Sequence, residues 1–280
     1  MVKMRFTKMQ GCGNDYIYVD CFRKMISNPA AIAIKVSDRH FGIGADGLIL
    51  IAPSKKADAR MLMYNADGSR AEMCGNGIRC VAKYVYDHGI RRSPVLRIET
   101  DNGIKEIAVN VRKGRVESAR VNMGLPRLAP QDIPVITKKK SLVLEPLSIA
   151  GHCFEITTVN MGNPHCILYV KNVRNFPVEK IGPLIENHKM FPKRTNVEFV
   201  EVLSKNKVRQ RTWERGSGET LACGTGASAV CVAGVLTGKT GRCLENRLLG
   251  GTLVLEWKDS ASPVFMTGPC VEVFKGEFEA

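Results

Sequence analysis

The sequence predicts an α/β protein built from two copies of one domain plan. Short apolar or alternating segments, which are typical of strands, occur in both halves together with a few helical segments. Several residue patterns also recur at one spacing of 149 positions. This period is too long for a solenoid, so we expect a duplicated domain whose halves face each other across a pseudo-twofold axis.

In the first half, apolar runs predict strands at residues 16–19, 48–51, 60–64, 95–98 and 104–109. A helix is predicted from Asn28-Pro29 to about residue 36, because a capping residue followed by proline is typical of a helix start. A second helix is expected to follow Gly77 and to stop at Gly89.

The second half repeats this arrangement. Strands are predicted at residues 154–159, 166–170, 197–202, 208–213 and 252–257, and a helix at 226–236. Residues 125–140 hold three prolines and a basic triplet, and they are the predicted linker.

Composition excludes several classes of protein. The 280 residues include 41 basic and 27 acidic side chains, a formal charge of +14 that favours acidic partners without choosing among them. No apolar run approaches the ~20 residues of a membrane helix, and the N-terminus lacks a signal-peptide core, so we expect a cytoplasmic protein. The ten cysteines include no Cys-x-x-Cys pair, which argues against structural zinc, and most are expected to be small core residues.

Two cysteines stand apart by position. Cys74 opens the segment CGNG and Cys223 opens CGTG, each directly before a predicted helix, and 223 − 74 = 149. The pairs Gly13-Asn14 and Gly162-Asn163, and Tyr64-Asn65 and Trp213-Glu214, share that offset. These matches predict that the two cysteines occupy equivalent places in the two domains.

This placement suits acid/base chemistry. A helix N-terminus presents free N–H groups and partial positive charge, which can hold a carboxylate and favour a thiolate. Two equivalent thiols could invert a carbon stereocentre, one removing the α-proton from one face while the other protonates the opposite face. The alternative interpretation is a pair of buried helix-capping cysteines.

Six segments closely resemble the diaminopimelate epimerase family, in family order and over nearly the whole chain. They are residues 11–16 (GCGNDY), 39–47 (RHFGIGADG), 64–69 (YNADGS), 71–80 (AEMCGNGIRC), 162–165 (GNPH) and 213–226 (WERGSGETLACGTG). The resemblance implies a cytoplasmic, cofactor-independent and metal-free homodimer that interconverts LL- and meso-diaminopimelate for lysine and peptidoglycan synthesis. It also implies two pseudo-symmetric α/β domains, each a mainly antiparallel barrel around a central helix, covering residues 1–122 with 269–280 and residues 123–268.

The resemblance also implies roles for individual residues. Cys74 and Cys223 would be the acid/base pair, and Glu214 would meet the reacting ammonium. The reacting carboxylate would be bound by residues at the two helix starts, namely Gly75, Asn76, Gly224 and Thr225. The rest of the substrate would be recognised by Asn14, Asn65, Asn163, Asn196 and Arg215, the last suited to bidentate pairing with the distal carboxylate.

Three positions depart from the family pattern and leave the substrate open. Gly47 stands where some members carry a substrate-facing glutamine, Arg70 where an acid is frequent, and Cys12 where an apolar or small residue is common. Relatives of this fold racemise other amino acids, including histidine, so such a racemase is the first alternative.

Other functional classes fit the sequence less well. The segment GIGADG at 42–47 matches a dinucleotide-binding pattern but precedes a strand instead of following one. A cysteine hydrolase with His165 as base does not account for two equivalent cysteines, and His165 is as plausibly structural or auxiliary. A nucleic-acid-binding protein would accord with the charge, but the basic residues are scattered and only 6% of residues are aromatic.

Overall fold

The structure, a computed structural model, describes residues 3–279 and divides them into two compact units. The first unit comprises the chain up to Val121 and the segment from Thr267 onward, and the second comprises Asn122–Met266. The predicted boundaries, after residues 122 and 268, lie one and two residues further along the chain.

The elements of the two units follow in chain order. Those before Asn122 are β1 (Lys3–Gly11), β2 (Asn14–Asp20), α1 (Pro29–Ser37), β3 (Gly47–Ala52), β4 (Ala59–Asn65), β5 (Arg70–Ala71), α2 (Gly75–Asp87), β6 (Val95–Thr100), β7 (Gly103–Arg112) and β8 (Arg115–Asn122). Those that follow are β9 (Glu145–Ile149), β10 (His152–Asn160), β11 (Pro164–Tyr169), α3 (Val178–Glu186), β12 (Asn196–Ser204), β13 (Lys207–Glu214), β14 (Gly218–Thr220), α4 (Gly224–Leu236), β15 (Cys243–Leu248), β16 (Gly251–Trp257), β17 (Val264–Pro269) and β18 (Val271–Glu279).

The two units share one strand pattern. In the first, neighbouring strands run β18-β1-β2-β3-β4-β6-β7-β8, antiparallel except for the pairs β2–β3 and β4–β6. In the second they run β9-β10-β11-β12-β13-β15-β16, antiparallel except for β11–β12 and β13–β15. The bounds of β10, α3 and α4 lie 149 residues after those of β1, α1 and α2. Each unit is therefore a mixed α/β fold, mainly antiparallel, and the two repeat each other.

One helix in each unit lies against most of its sheet. Helix α2 packs against β1, β2, β4, β6 and β7, and α4 against β10, β11, β12, β15 and β16. Both helices are buried along most of their length, which accounts for the unbroken small and apolar run in α4. The other helix of each unit, α1 or α3, covers the opposite face of the sheet. Val36 and Leu50 belong to the core there in one unit, and Ile185 and Phe199 in the other.

Some elements differ from the sequence-based prediction. Helix α2 begins three residues and helix α4 two residues before the predicted start, since Cys74 and Cys223 are themselves the N-cap residues. Helix α3 was not predicted because Gly182 and Pro183 interrupt its helical pattern, although its 149-residue offset from α1 marks it. Within the predicted linker, Ile133 and Val135 are buried, so this segment packs against its own unit.

Candidate active site

Cys74 occupies the N-cap of α2. Its backbone is extended (φ −135°), which turns the side chain back over the first turn of the helix. The sulfur accepts the Gly77 N–H at 3.4 Å and donates to Asn14 Oδ1 at 3.3 Å. The thiol is half-buried, and its contacts include the Gly77 N–H and the side-chain amide of Asn14, the first residue of β2.

The partners of Cys74 are themselves fixed. Asn14 Nδ2 donates to Asp46 Oδ2 at 2.7 Å, and Asp46 is paired with Arg39 at 3.0 Å. Because this bond fixes the amide nitrogen of Asn14, its oxygen is left facing the thiol. The Tyr16 hydroxyl adjoins both residues, and burial, followed by the nearby Cys74, raises the pKa of Tyr16.

A buried arginine braces the first turn of α2. Arg79 is fully buried and donates to Gly75 O at 3.0 Å, to Asn76 Oδ1 at 2.9 Å and to Pro269 O at 3.3 Å. The turn predicted to bind a carboxylate is thus held from beneath by a cation. Asn65 lies at the end of β4, where its amide donates to Ser69 Oγ at 2.9 Å.

Cys223 occupies the equivalent N-cap of α4. Its sulfur accepts the Gly226 N–H at 3.4 Å, and Thr225 Oγ1 lies 3.4 Å from it. Unlike Cys74, this thiol is buried, at 5% exposure.

Carboxylates surround Cys223. Glu214 accepts a hydrogen bond from Thr220 Oγ1 at 2.6 Å, and burial raises the pKa of Glu214. Burial, then the charges of Glu214 and Glu198, raise the pKa of Cys223 well above its usual value. The expectation that a helix start favours the thiolate is therefore wrong at Cys223, because burial and two carboxylates outweigh the helix field there.

His165 belongs to a buried polar network that the sequence did not reveal. Its Nδ1 lies 2.8 Å from Glu198 Oε1, and its Nε2 lies 2.9 Å from Asn163 Oδ1. Glu198, which is fully buried, also accepts from Gln210 Nε2 and Thr212 Oγ1. The only sequence signal for this network was a glutamate inside a strongly apolar strand.

Asn196 and Arg215, two further predicted site residues, meet at the start of β12. Asn196 donates to Pro164 O at 2.8 Å and accepts the Arg215 backbone N–H at 2.9 Å. The Arg215 guanidinium is exposed and donates to Lys193 O at 3.0 Å. The predicted set thus forms two groups, one around Cys74 with Asn14, Gly75 and Asn76, and one around Cys223 with Thr225 and Glu214.

The structure shows the surroundings of the three residues that depart from the family pattern. A Cβ at Gly47 would collide with Tyr64 O and lie 2.9 Å from Tyr16 Cε1, so a glutamine does not fit there. Arg70 pairs with Asp101 at 2.5 Å. Cys12 is buried in the β1–β2 turn with a φ of 56°, where burial raises its thiol pKa.

Within residues 3–279, no cluster of three or more histidine, cysteine or acidic side chains is arranged to hold a metal ion. In the same residues, no helix is both long and apolar enough to span a membrane.

Comparison with known proteins assigns the family. The diaminopimelate epimerase family model matches residues 6–129 and 157–273. Relatives named diaminopimelate epimerase include one from Acetivibrio thermocellus, 56% identical over 276 residues with 99% of each chain covered. Another, from Methanococcus maripaludis, is 53% identical and covers 99% of this chain and 100% of its own.

Solved structures show the same fold at low identity. A phenazine biosynthesis protein of the PhzF family from Bacillus anthracis matches with a TM-score of 0.72 at 16% identity, covering 100% of both chains. A hydroxyproline epimerase from Agrobacterium vitis matches with a TM-score of 0.68 at 16% identity, covering 99% of this chain and 91% of its own. The repeated α/β fold, the motif order and the close relatives agree, and the chain belongs to the diaminopimelate epimerase family.

Proposed function

We propose that this chain interconverts LL- and meso-diaminopimelate by two-thiol acid/base catalysis without a cofactor, a step towards lysine and peptidoglycan. Membership of the family and relatives carrying that name support the activity. The observation that carries the mechanism is the pair of cysteines that cap α2 and α4 at positions one repeat, 149 residues, apart.

In the proposed reaction, one cysteine acts as thiolate and removes the α-proton, forming an S–H bond as the C–H bond breaks. The other thiol delivers its proton to the opposite face of the same carbon, so the configuration inverts and the thiol becomes the thiolate. The electron pair left on carbon is delocalised into the substrate carboxylate. Backbone N–H groups at the starts of α2 and α4, at Gly75, Asn76, Gly224 and Thr225, would stabilise that charge.

Polar side chains near each cysteine would select the substrate. We propose that Glu214 meets the reacting ammonium, while Asn14, Asn65, Asn163 and Asn196 bind the remaining polar groups. Arg215 would pair with the distal carboxylate, because its guanidinium is exposed and its hydrogen bond from Nη1 to Lys193 O leaves further N–H groups able to donate. His165 would act as an auxiliary residue through Asn163.

Replacing either cysteine tests the mechanism. In deuterium oxide, wild-type enzyme should incorporate deuterium at one α-carbon of LL-diaminopimelate. Cys74→Ala and Cys223→Ala should each lower kcat by about 10³-fold or more, because each removes one of two acid/base groups. Cys153→Ala, at an exposed cysteine, is the matched control and should be unchanged. Full turnover in either single variant would exclude the two-thiol mechanism.

The alternative, a racemase of another amino acid such as histidine, is distinguished at Arg215. Arg215→Met should raise KM for diaminopimelate about tenfold or more, while any turnover of monocarboxylate amino acids should be unaffected. Equal losses for both substrate classes, in a panel of free amino acids, would favour the alternative.

We also propose a cytoplasmic homodimer. Exposed apolar side chains on the last strand, at Val271, Val273 and Phe274, support a self-association surface. Light scattering of the purified chain should give twice the monomer mass, and a monomer at micromolar concentration would contradict this proposal.

A further inference from the structure

Glu198 is the central member of the buried network beneath α4. It lies on β12 and is fully buried. Its Oε1 is 2.8 Å from His165 Nδ1, while Oε2 accepts from Gln210 Nε2 at 2.7 Å and from Thr212 Oγ1 at 2.6 Å. A buried carboxylate needs such partners, since an unpaired charge is costly in the protein interior. Because a carboxylate accepts, the bond to Nδ1 also fixes a proton on that nitrogen of His165.

This carboxylate lies directly against the first turn of α4. A Cβ added at Gly226 would be 2.7 Å from Glu198 Cδ and 2.8 Å from Oε2. The N–H of the same Gly226 donates a hydrogen bond to the Cys223 sulfur. A helix N-terminus alone stabilises a thiolate, whereas a negative charge beneath that turn opposes ionisation.

The first unit has no carboxylate at the equivalent place. Subtracting 149 from Glu198 and Gln210 gives Ile49 and Met61, and a Cβ at Gly77 would lie 2.8 Å from Ile49 Cδ1 and 3.3 Å from Met61 Cε. Buried Arg79, whose equivalent in α4 is Ser228, adds a positive charge to the turn that holds Cys74. The first turns of α2 and α4 therefore differ in the side chains packed beneath them, apolar with an arginine in one and a carboxylate in the other.

We propose that Glu198 is a positioning residue that orients His165 and keeps Cys223 in its protonated form. The proposal rests on the two-thiol function proposed above. The Glu198 carboxylate would thereby make the two equivalent cysteines chemically unequal before substrate binds.

The other titratable groups around this network are few. His165 and Cys166 on β11 and Glu214 on β13 face it, together with Cys223 itself. The buried side chains of β10, β15 and β16, which also pack against α4, are uncharged: Ile156, Thr157, Thr158, Val159, Asn160, Leu244, Asn246, Leu253, Leu255 and Trp257. After burial, the charges of Glu214 and Glu198 are thus what raises the pKa of Cys223.

Glu198→Gln tests the proposal, with Glu201→Gln as the control. Glu201 lies on the same strand but pairs with Arg209 and accepts from Val173 N, so its loss removes a charge without touching His165. The measurement is the pH profile of kcat/KM for LL- and meso-diaminopimelate. Glu198→Gln should move the alkaline limb, which reports loss of the Cys223 proton, to lower pH by about one unit and leave the acid limb in place. Glu201→Gln should move neither limb.

A second variant covers the case in which Glu198→Gln does not fold. The double change Glu198→Ile with Gln210→Met copies the apolar pair at 49 and 61, and it should shift the alkaline limb in the same direction. An unmoved alkaline limb in folded variants, or a shift of the acid limb instead, would overturn the assignment. If the cysteine variants behave as proposed but the profiles do not shift, only this inference fails. If Cys74→Ala or Cys223→Ala keeps full turnover, the proposed function itself fails.

Discussion

Helices α2 and α4 have the same length, lie 149 residues apart in the sequence and each follow a capping cysteine, yet their surroundings differ. Beneath α2 lie Ile49 and Met61, with Arg79 bracing the first turn. Beneath α4 lies Glu198 with its hydrogen-bonded partners. The comparison shows that the duplicated backbone places a capping cysteine at the start of each helix, while the side chains packed beneath the two helices differ.

The largest expected difference between the two helices concerns the group that braces each first turn. Arg79→Met should lower the free energy of unfolding by about 3 kcal/mol, because it removes three hydrogen bonds from a buried site. Ser228→Ala, at the equivalent position, removes one bond to Gly224 O and should cost about 1 kcal/mol or less. Denaturant unfolding measures both, and equal costs would show that Arg79 does not brace α2.

A smaller difference in stability is expected between alanine substitutions at Gly226 and Gly77, the equivalent glycines in the first turns of α4 and α2. Gly226→Ala should destabilise by about 2 kcal/mol, since the added methyl meets a carboxylate held in place by three partners. Gly77→Ala meets the free ends of Ile49 and Met61, which can turn aside, and the helix preference for alanine offsets part of the strain. Its cost should be below about 1 kcal/mol. Thermal unfolding of both variants checks the order, and the reverse order would contradict a rigid Glu198.

The smallest expected effect is the alkaline loss of stability caused by buried thiols. Burial raises the pKa of Cys80 in α2 to about 11, from its usual 9.0. The unfolded chain therefore loses this proton near pH 9 while the folded protein keeps it, so stability falls as pH rises above 9. Cys80→Ala, which copies Ala229 of α4, should remove about 1 kcal/mol of the loss between pH 8 and pH 10.

The matching change in the other helix is Cys231→Ala, which copies Ala82 of α2. Burial raises the pKa of Cys231 to about 12, so this variant should flatten the same alkaline slope by a similar amount. Urea titrations at pH 8, 9 and 10 measure how the free energy of unfolding changes with pH. An unchanged slope in both variants would mean that these thiols have the same pKa in the folded and the unfolded chain.

Local patterns predicted much of the fold. Apolar alternation located the central strands, and Asn28-Pro29 located α1, because each depends on residues close in sequence. Local pattern did not locate edge strands such as β9 and β18 or the short β5 and β14, since their stability comes from pairing partners elsewhere in the chain. Helix α3 shows that the repeat carried more information than local pattern alone, because its position follows from α1 despite Pro183.

The sequence by itself determined the repeat, the two capping cysteines and the family. The Cys-Gly-x-Gly helix starts are short runs of neighbouring residues, and the repeat is visible because such runs recur 149 positions apart. Only the tertiary structure decided how the two thiols differ. Glu198 lies in the apolar segment Val197-Glu198-Phe199, which marks the glutamate as unusual but does not reveal what its buried carboxylate contacts. Its partners come from β11 and β13, and its burial beneath Gly226 depends on α4. A charge acts on a thiol through distance and burial, and neither quantity exists until the strands and the helix are packed together.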